Sequence, residues 1–509
     1  MAQISINKLT FCYEGSFDNI FDNISFSINT DWKLGFIGRN GKGKTTFLNL
    51  LQGKYNYSGS IDSNVKFEYF PYYISDAQLH MPAIELIEKI KPGCEVWKVI
   101  RELSQLRETA EILYRPFNTL SSGERTKILL AVLFSGENNF LLIDEPTNHL
   151  DQKARECVKY YLATKKGFIL VSHDRDLLDA CIDHILVLNR KSIEVQSGTF
   201  SSWWENKQRK DHFAISQNDK HRKEIKKLKQ AVKRTAGWAD KNEQTKIGFN
   251  PVKEHDRSID TRSFIGAKTK KLQSSVKHIE HRIEREIKEK EGLLLDLEHT
   301  DDLKLVQLTH HKNRLVNVKD YGLRYLDAET PIFSELSFSI TQGSRIALCG
   351  KNGCGKSTLI KMILKKIGFD VLLSNIEEAG LCEVAPGLVV SYVDQDTSKL
   401  IGQISDYCKK HNFDQSIFCA VLRKLDFERS QFSKNMKDFS DGQKKKILIA
   451  SSLLTPAHLY IWDEPFNYID VFSRMQIERL LLKYQPTMLF VEHDIKFREK
   501  IATHMIEFK

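Results

Sequence analysis

Two stretches of the chain, Gly38 to Thr45 and Gly350 to Ser357, carry the order Gly, four residues of any type, Gly, Lys and Thr or Ser. That order suits a polyphosphate. Gly38, Gly41 and Gly43, and in the second stretch Gly350, Gly353 and Gly355, let backbone N–H groups turn inward around phosphate oxygens. Lys44 and Lys356 add a point charge, and the hydroxyls of Thr45 and Ser357 are of the kind that ligates Mg²⁺. Asn40, Thr46, Asn352 and Thr358 complete the expected binding set. The first loop follows the apolar run at 33–37 and leads into TTFLNLL, so it lies between a strand and a helix.

Acids suited to hydrolysis stand at the ends of two further apolar runs. FLLI precedes Asp144-Glu145-Pro146, and LYIW precedes Asp463-Glu464-Pro465. Buried strands would deliver Asp144 and Asp463 to a Mg²⁺ shell, and Glu145 and Glu464 to an attacking water. Ser172-His173-Asp174 and Glu492-His493-Asp494 close later apolar runs. A single histidine at a strand end is usually structural. Beside the other motifs, His173 and His493 read as contacts to a terminal phosphate. Between loop and acids lie Leu120-Ser121-Ser122-Gly123-Glu124 and Phe439-Ser440-Asp441-Gly442-Gln443, each followed by a helical run. A Ser-Gly turn that opens a helix is an anion site. Tyr13 and Tyr325 lie 25 residues before Gly38 and Gly350, placed to stack on a base.

The loops are offset by 312 residues, the Ser-Gly turns and acid strands by 319, and the histidines by 320. Four spaced motifs repeated at nearly one offset leave no room for coincidence. The halves are not identical: Gln395 follows a strand in the second half where Tyr72 stands in the first.

The elements needed to position these motifs fit an α/β chain of 509 residues, too long for one core. No apolar run reaches the roughly 18 residues of a membrane span, and MAQISINKLTF lacks a signal-peptide layout. A cytoplasmic protein that crosses no membrane is expected. The nine cysteines include no Cys-x-x-Cys pair, which argues against a disulfide framework or a zinc site.

Residues 206–299 repeat nothing. They hold 24 Lys and Arg against 15 Asp and Glu, an excess of nine in a chain whose net charge is +10. Ile225, Leu228, Val232, Thr235 and Ala239, and then Leu272, Val276, Ile279 and Ile283, have coiled-coil spacing. Gly248, Pro251 and Gly266 interrupt the two runs. The expectation is an antiparallel helical hairpin with arms projecting about 50 to 60 Å. Its basic excess points to a polyanionic partner, as against the plainer reading of a solvated tether. At its tip, roughly 247–266, Phe249, Arg257, Arg262 and Phe264 suit contact with unpaired RNA, and Trp238 stands just before them.

The Ser-Gly turns resemble the LSGGQ signature of the ATP-binding cassette family, and Asn148-His149-Leu150-Asp151 resembles its D-loop. This resemblance implies ATP and Mg²⁺ as ligands, Gln395 as a Q-loop residue near the metal, and two cassettes facing head to tail. Each site would then be shared. Lys44, Thr45, Asp144, Glu145 and His173 would meet Ser440 and Gly442; Lys356, Ser357, Gln395, Asp463, Glu464 and His493 would meet Ser121 and Gly123. The implied architecture is two tandem P-loop ATPase domains, 1–205 and 300–509, joined by a hairpin linker at 206–299. Two cassettes joined by such a linker resemble the ABC-F proteins. RPFNTLSSGERTK at 115–127 and YIWDEPFNYIDVF at 460–472 resemble the antibiotic-resistance members of the Lsa, Sal and Vga types. The implied partner is the ribosome, met at large-subunit rRNA and peptidyl-site tRNA by a monomer whose cassettes pair internally. The implied role is protection against pleuromutilins, lincosamides and streptogramin A. The alternatives are a housekeeping translation or ribosome-assembly factor and the ATPase subunit of a drug efflux transporter.

Overall fold

The computed structural model describes residues 3–14, 19–136, 139–148, 150–189, 193–244, 303–326, 329–370 and 375–508, with isolated positions between 274 and 285. The chain divides into two compact units. One comprises Met1–Trp203 with Thr300–Lys509, and the other Trp204–His299.

Within the first unit the same architecture is built twice. In the first half a six-stranded sheet runs in the order Lys66–Phe70, Asn139–Asp144, Phe168–Val171, Lys33–Gly38, His184–Leu188, Ile193–Ser197. All neighbours are parallel except the last pair. In the second half a five-stranded parallel sheet runs Val390–Val393, Leu459–Asp463, Met488–Val491, Arg345–Cys349, His504–Glu507. Each half adds a three-stranded antiparallel sheet, centred on Gln3–Phe11 and on Arg314–Tyr325.

The central strands are apolar almost throughout because helices or a second sheet cover both of their faces. Phe168–Val171 and Met488–Val491 are buried at every residue. Trp462 is fully enclosed, and its indole N–H donates to Ser452 Oγ at 2.9 Å. Phe47, on the helix after the first loop, packs against Phe21 and Phe36 with ring centroids 6.0 and 5.4 Å away. These contacts fix the helix that leaves the loop. Since the strands are parallel, their C-terminal ends all open on one side, where ligands of such sheets bind.

The halves of this unit are joined by buried charge. Arg175 reaches Glu478 at 2.8 Å and Asp494 at 3.5 Å, with all three side chains buried. Arg498 donates to Gln152 at 3.0 Å, and Lys496 pairs with Asp179.

In the second unit the described part is mainly the helix Phe200–Gln244. Along it Ala214, Asn218 and Ile225 are buried, with His221 and Leu228 half-buried. Their spacing of 4, 3, 4 and 3 extends the expected stripe toward the N-terminus through two polar residues. The side chains of Val232, Thr235, Trp238 and Ala239, most of the second run, and the tip at 247–266 lie outside the described residues. Among the described residues no helix is long and apolar enough to cross a membrane.

Losing one partner of a buried ion cluster strands the others, at a typical cost of about 3 kcal/mol. Arg175→Met is therefore expected to lower the thermal unfolding midpoint by several degrees, as read by calorimetry.

Candidate functional site

Both loops turn from strand to helix in the same way. Gly43 and Gly355 cap the helices Lys44–Leu51 and Lys356–Ile367 in a left-handed conformation, at φ 99° and 94°. A Cβ there would stand 2.6 Å from Ile20 Cγ2 in one half and 2.5 Å from Ile332 Cγ2 in the other, so only glycine fits. Lys44 Nζ folds back over its loop and donates to the carbonyl of Gly38 at 2.7 Å and to Asn40 Oδ1 at 3.1 Å. Lys356 Nζ does the same with the carbonyls of Gly350 at 3.0 Å and Lys351 at 2.7 Å. Burial lowers the pKa of Lys44 against the pull of Asp470, Glu145 and Asp144. A buried ammonium held by carbonyls is poised to exchange them for an anion.

The acid strands end beside these lysines. Thr45 Oγ1 donates to Asp144 Oδ2 at 3.1 Å, and Ser357 hydrogen-bonds to Asp463. Asp463 Oδ1 is buried with no partner, and burial pushes that carboxyl up to about 6. Burial raises Asp144 too. A hydroxyl and a carboxylate side by side, with an orphaned buried oxygen, suit a hard divalent cation that takes its other ligands from phosphate and water. Among the described residues no three His, Cys, Asp or Glu cluster as a protein-only metal cage.

Glu145 and Glu464 follow in left-handed backbone, at φ 50° and 47°. Their N–H groups donate to the carbonyls of Val171 and Val491 at 2.9 and 3.0 Å, which aims both carboxylates into cavities. The surroundings then differ. Glu464 is held by His493 Nε2 at 3.1 Å, Gln395 Nε2 at 2.9 Å and Asn467 Nδ2 at 2.7 Å. Burial, which would raise its pKa, is outweighed chiefly by the His493 hydrogen bond, and the pKa falls. Glu145 lies 3.4 Å from His173 Nε2, its Oε1 makes no hydrogen bond, and burial reinforced by Asp144 holds the carboxyl well above the usual range. Burial also drives His173 far down, toward the neutral imidazole.

Each cavity is closed by the other half. The first, about 530 Å³, is lined by Tyr13, Gly41, Gly43, Lys44, Thr45, Thr46, Asp144, Glu145 and His173 together with Ser440, Asp441 and Gly442. Asn40 lines it too and donates across to the carbonyl of Tyr468 at 2.8 Å. That carbonyl would stand 2.5 Å from a Cβ at position 442, which explains the glycine there. The second cavity, about 410 Å³, gathers Tyr325, Asn352, Gly353, Gly355, Lys356, Ser357, Thr358, Gln395, Glu464 and His493. Ser122 and Arg155 reach it from the first half. Ser122 lies between Ser121 and Gly123, the residues singled out from sequence. The Ser121 hydroxyl accepts from Glu124 N at 3.2 Å as a helix cap, and Ser440 likewise accepts from Gln443 N at 3.4 Å. Glu124 and Gln443 answer as capping-box partners, so the signature serine and its acid or amide define where each helix begins.

Several participants lie outside the residues expected at the sites. Tyr69 OH donates to Asp144 Oδ2 at 3.1 Å, and Asp470 pairs with Lys446 at 3.0 Å near Lys44 and His173. Arg474 donates to Ile469 O at 2.8 Å, Phe466 O at 2.8 Å and, across the halves, His173 O at 3.1 Å. Arg155, its counterpart at the 319 offset, donates to Leu150 O at 2.9 Å and lies 3.8 Å from Asp174. That offset is the signal that would have found both arginines.

A family profile described as ABC transporter matches residues 21–148 and again 333–467, together just over half of the chain. The chain belongs to the ABC transporter family. It is an ATPase that binds ATP, and the two matched segments are its tandem ATPase domains. This ABC protein is 27% identical over 495 residues to the ribosome protection protein VmlR of Bacillus subtilis (strain 168), across 96% of this chain and 84% of the relative. It is 25% identical over 497 residues to the erythromycin resistance ATP-binding protein MsrA of Staphylococcus epidermidis, across 92% of this chain and 90% of the relative. Whole-length relatives of this kind agree with the ABC-F resemblance drawn from the motifs. The same fold occurs in the crystal structure of archaeal ribosomal stalk protein aP1 with archaeal ribosome recycling factor aABCE1, with TM-score 0.59 and 18% identity over 98% of this chain and 87% of that one.

Arg474 ties Phe466 and Ile469, beside and within the 467–470 counterpart of the D-loop at the 319 offset, to His173 of the other half, and small displacements at such a site are costly. With Glu464→Gln leaving the first site to turn over, Arg474→Met is expected to cut phosphate release by about tenfold or more. With Glu145→Gln leaving the second, the same change should cost much less.

Proposed function

We propose that this ATPase acts on the ribosome and protects it from antibiotics that bind at the peptidyl-transferase centre, namely pleuromutilins, lincosamides and streptogramin A. The observation that carries this reading is the pair of ATP cavities, each completed by residues of the opposite half of one chain. It is joined by the basic, coiled-coil-spaced segment at 206–299. The named activities of the VmlR and MsrA relatives support it. The working place is then the cytoplasm, on ribosomes, with no membrane partner. In this reading the segment 206–299, expected from sequence to be a helical hairpin, enters near the exit and peptidyl sites and meets large-subunit rRNA and peptidyl-site tRNA.

In this reading Lys44 and Lys356 bind β- and γ-phosphates, and Tyr13 and Tyr325 stack on adenine. Thr45 with Asp144, and Ser357 with Asp463 and Gln395, would hold Mg²⁺, which when bound would neutralise charge on the phosphates. Ser440 and Gly442, and Ser121, Ser122 and Gly123, close over the γ-phosphate from the other half through the N-termini of their helices. Two bound ATP molecules therefore favour the closed pairing by their differential affinity for it. Glu145 and Glu464 polarise the attacking water, while His173 and His493 contact the γ-phosphate and His493 also holds the Glu464 carboxylate in place. Hydrolysis removes the bridging phosphate and releases the ribosome, and the antibiotic is not altered chemically.

The full chain with Glu145→Gln and Glu464→Gln is expected to co-sediment with ribosomes only when ATP and Mg²⁺ are present, and to resist competition by duplex DNA. Binding indifferent to ATP would contradict the reading. Protection of peptide synthesis from a pleuromutilin or lincosamide separates resistance from a housekeeping role. Unchanged drug accumulation in cells separates it from efflux.

A further inference from the structure

The first phosphate loop is tied to the opposite half by charge, and the second has no equivalent tie among the described residues. Arg39 pairs with Asp426 at 2.6 Å, and Lys42 pairs with Glu428 at 3.0 Å. Both cations belong to the loop itself. Both acids belong to the segment that follows the helix Gln415–Lys424 and leads to the Ser-Gly turn at 440.

The repeat identifies the matching positions in the second site. At the loop offset of 312, Arg39 and Lys42 correspond to Lys351 and Cys354; at the turn offset of 319, Asp426 and Glu428 correspond to Arg107 and Thr109. Backbone geometry supports the register, because Arg107 and Asp426 both adopt left-handed conformations, φ 58° and 65°, just past corresponding helices. By this correspondence Lys351 and Arg107, two cations, stand at the repeat positions of the first site's ion pair. Two cations at such positions attract no closure of the kind an ion pair supplies. The hydrolytic side is unequal in the complementary sense: Glu464 has Gln395 and Asn467 as hydrogen-bond partners, while Tyr72 replaces the glutamine beside Glu145.

We infer that the two sites open unequally: the Arg39–Asp426 and Lys42–Glu428 pairs latch the first-loop site, which retains its nucleotide while the second-loop site exchanges. This rests on the reading of both cavities as ATP sites and adds which one is the slower to open.

The test follows release of a fluorescent methylanthraniloyl-ATP from full-length protein carrying Glu145→Gln and Glu464→Gln, chased with excess ATP. Lys44→Ala and Lys356→Ala assign the phases to the sites. Release is expected in two phases, the slow one from the first loop. Asp426→Lys with Glu428→Lys should speed that phase about three- to tenfold, the scale of two partly exposed pairs, and the gap should narrow in high salt. Arg39→Asp combined with Asp426→Arg should restore slow release. Arg107→Asp, which gives Lys351 a partner, should slow the fast phase. Equal phases, or a charge reversal that acts on the second-loop phase, would overturn the latch. No ribosome enters this measurement, so the latch can fail while the ribosome reading stands.

Discussion

The arrangement depends on one constraint: a loop shaped to hold phosphate has donors on one side only, and its other side must be supplied from elsewhere. Here it is supplied by the start of a helix in the opposite half. The Asn40 amide on the carbonyl of Tyr468, with Gly442 leaving room for that carbonyl, brings the second Ser-Gly turn over the first loop. Helix N-termini offer unpaired N–H groups and a partial positive charge, so the closure is itself an anion site. An intramolecular partner also removes most of the entropy of association that two separate chains would face.

Buried charge makes that apposition specific. Arg175, from the first half, lies between Glu478 and Asp494 of the second in an enclosed cluster that tolerates little slippage. Such pairs stabilise weakly relative to a well-packed apolar contact, but a misplaced partner is costly. They therefore fix register between the halves more than they add stability. Around the sites the same low dielectric raises Asp144 and Asp463 in spite of the hydrogen bonds and lysines beside them, so an added cation is favoured there. The protein's own cations offset that charge only in part: Lys44 acts on Asp144 and Lys445 on Asp463, but both ammonium groups are held by carbonyl oxygens.

What could be read from the chain alone was local. Strand, loop and helix lie within about twenty residues around Lys44 and around Lys356, and an acid strand announces itself by four apolar residues before Asp144 or Asp463. The repeat offset then marked two domains, and the resemblance to the ATP-binding cassette family implied their head-to-tail sharing of Ser440 and Gly442. Pairings made across the halves were not legible. Asp426 and Arg39 are 387 residues apart in sequence and belong to no motif, so nothing marks them as neighbours. Tyr69 was hidden for a different reason: Tyr72 stands where the repeat has its glutamine, while the tyrosine three residues earlier is the one that reaches Asp144. In the helix Phe200–Gln244, the apolar pattern began at Ile225, yet burial continues back through Asn218 and Ala214, because a count of apolar residues passes over a buried polar one such as Asn218.

The central claim is that each ATP is held by both halves of the chain. An ATP analogue with a photo-crosslinker on its γ-phosphate, bound to the Lys356→Ala protein so that the first loop is the one loaded, tests it directly when the labelled peptides are mapped. The account predicts label on peptides containing Ser440 to Gly442 as well as on those containing Gly38 to Thr46. Label confined to the first half would contradict it.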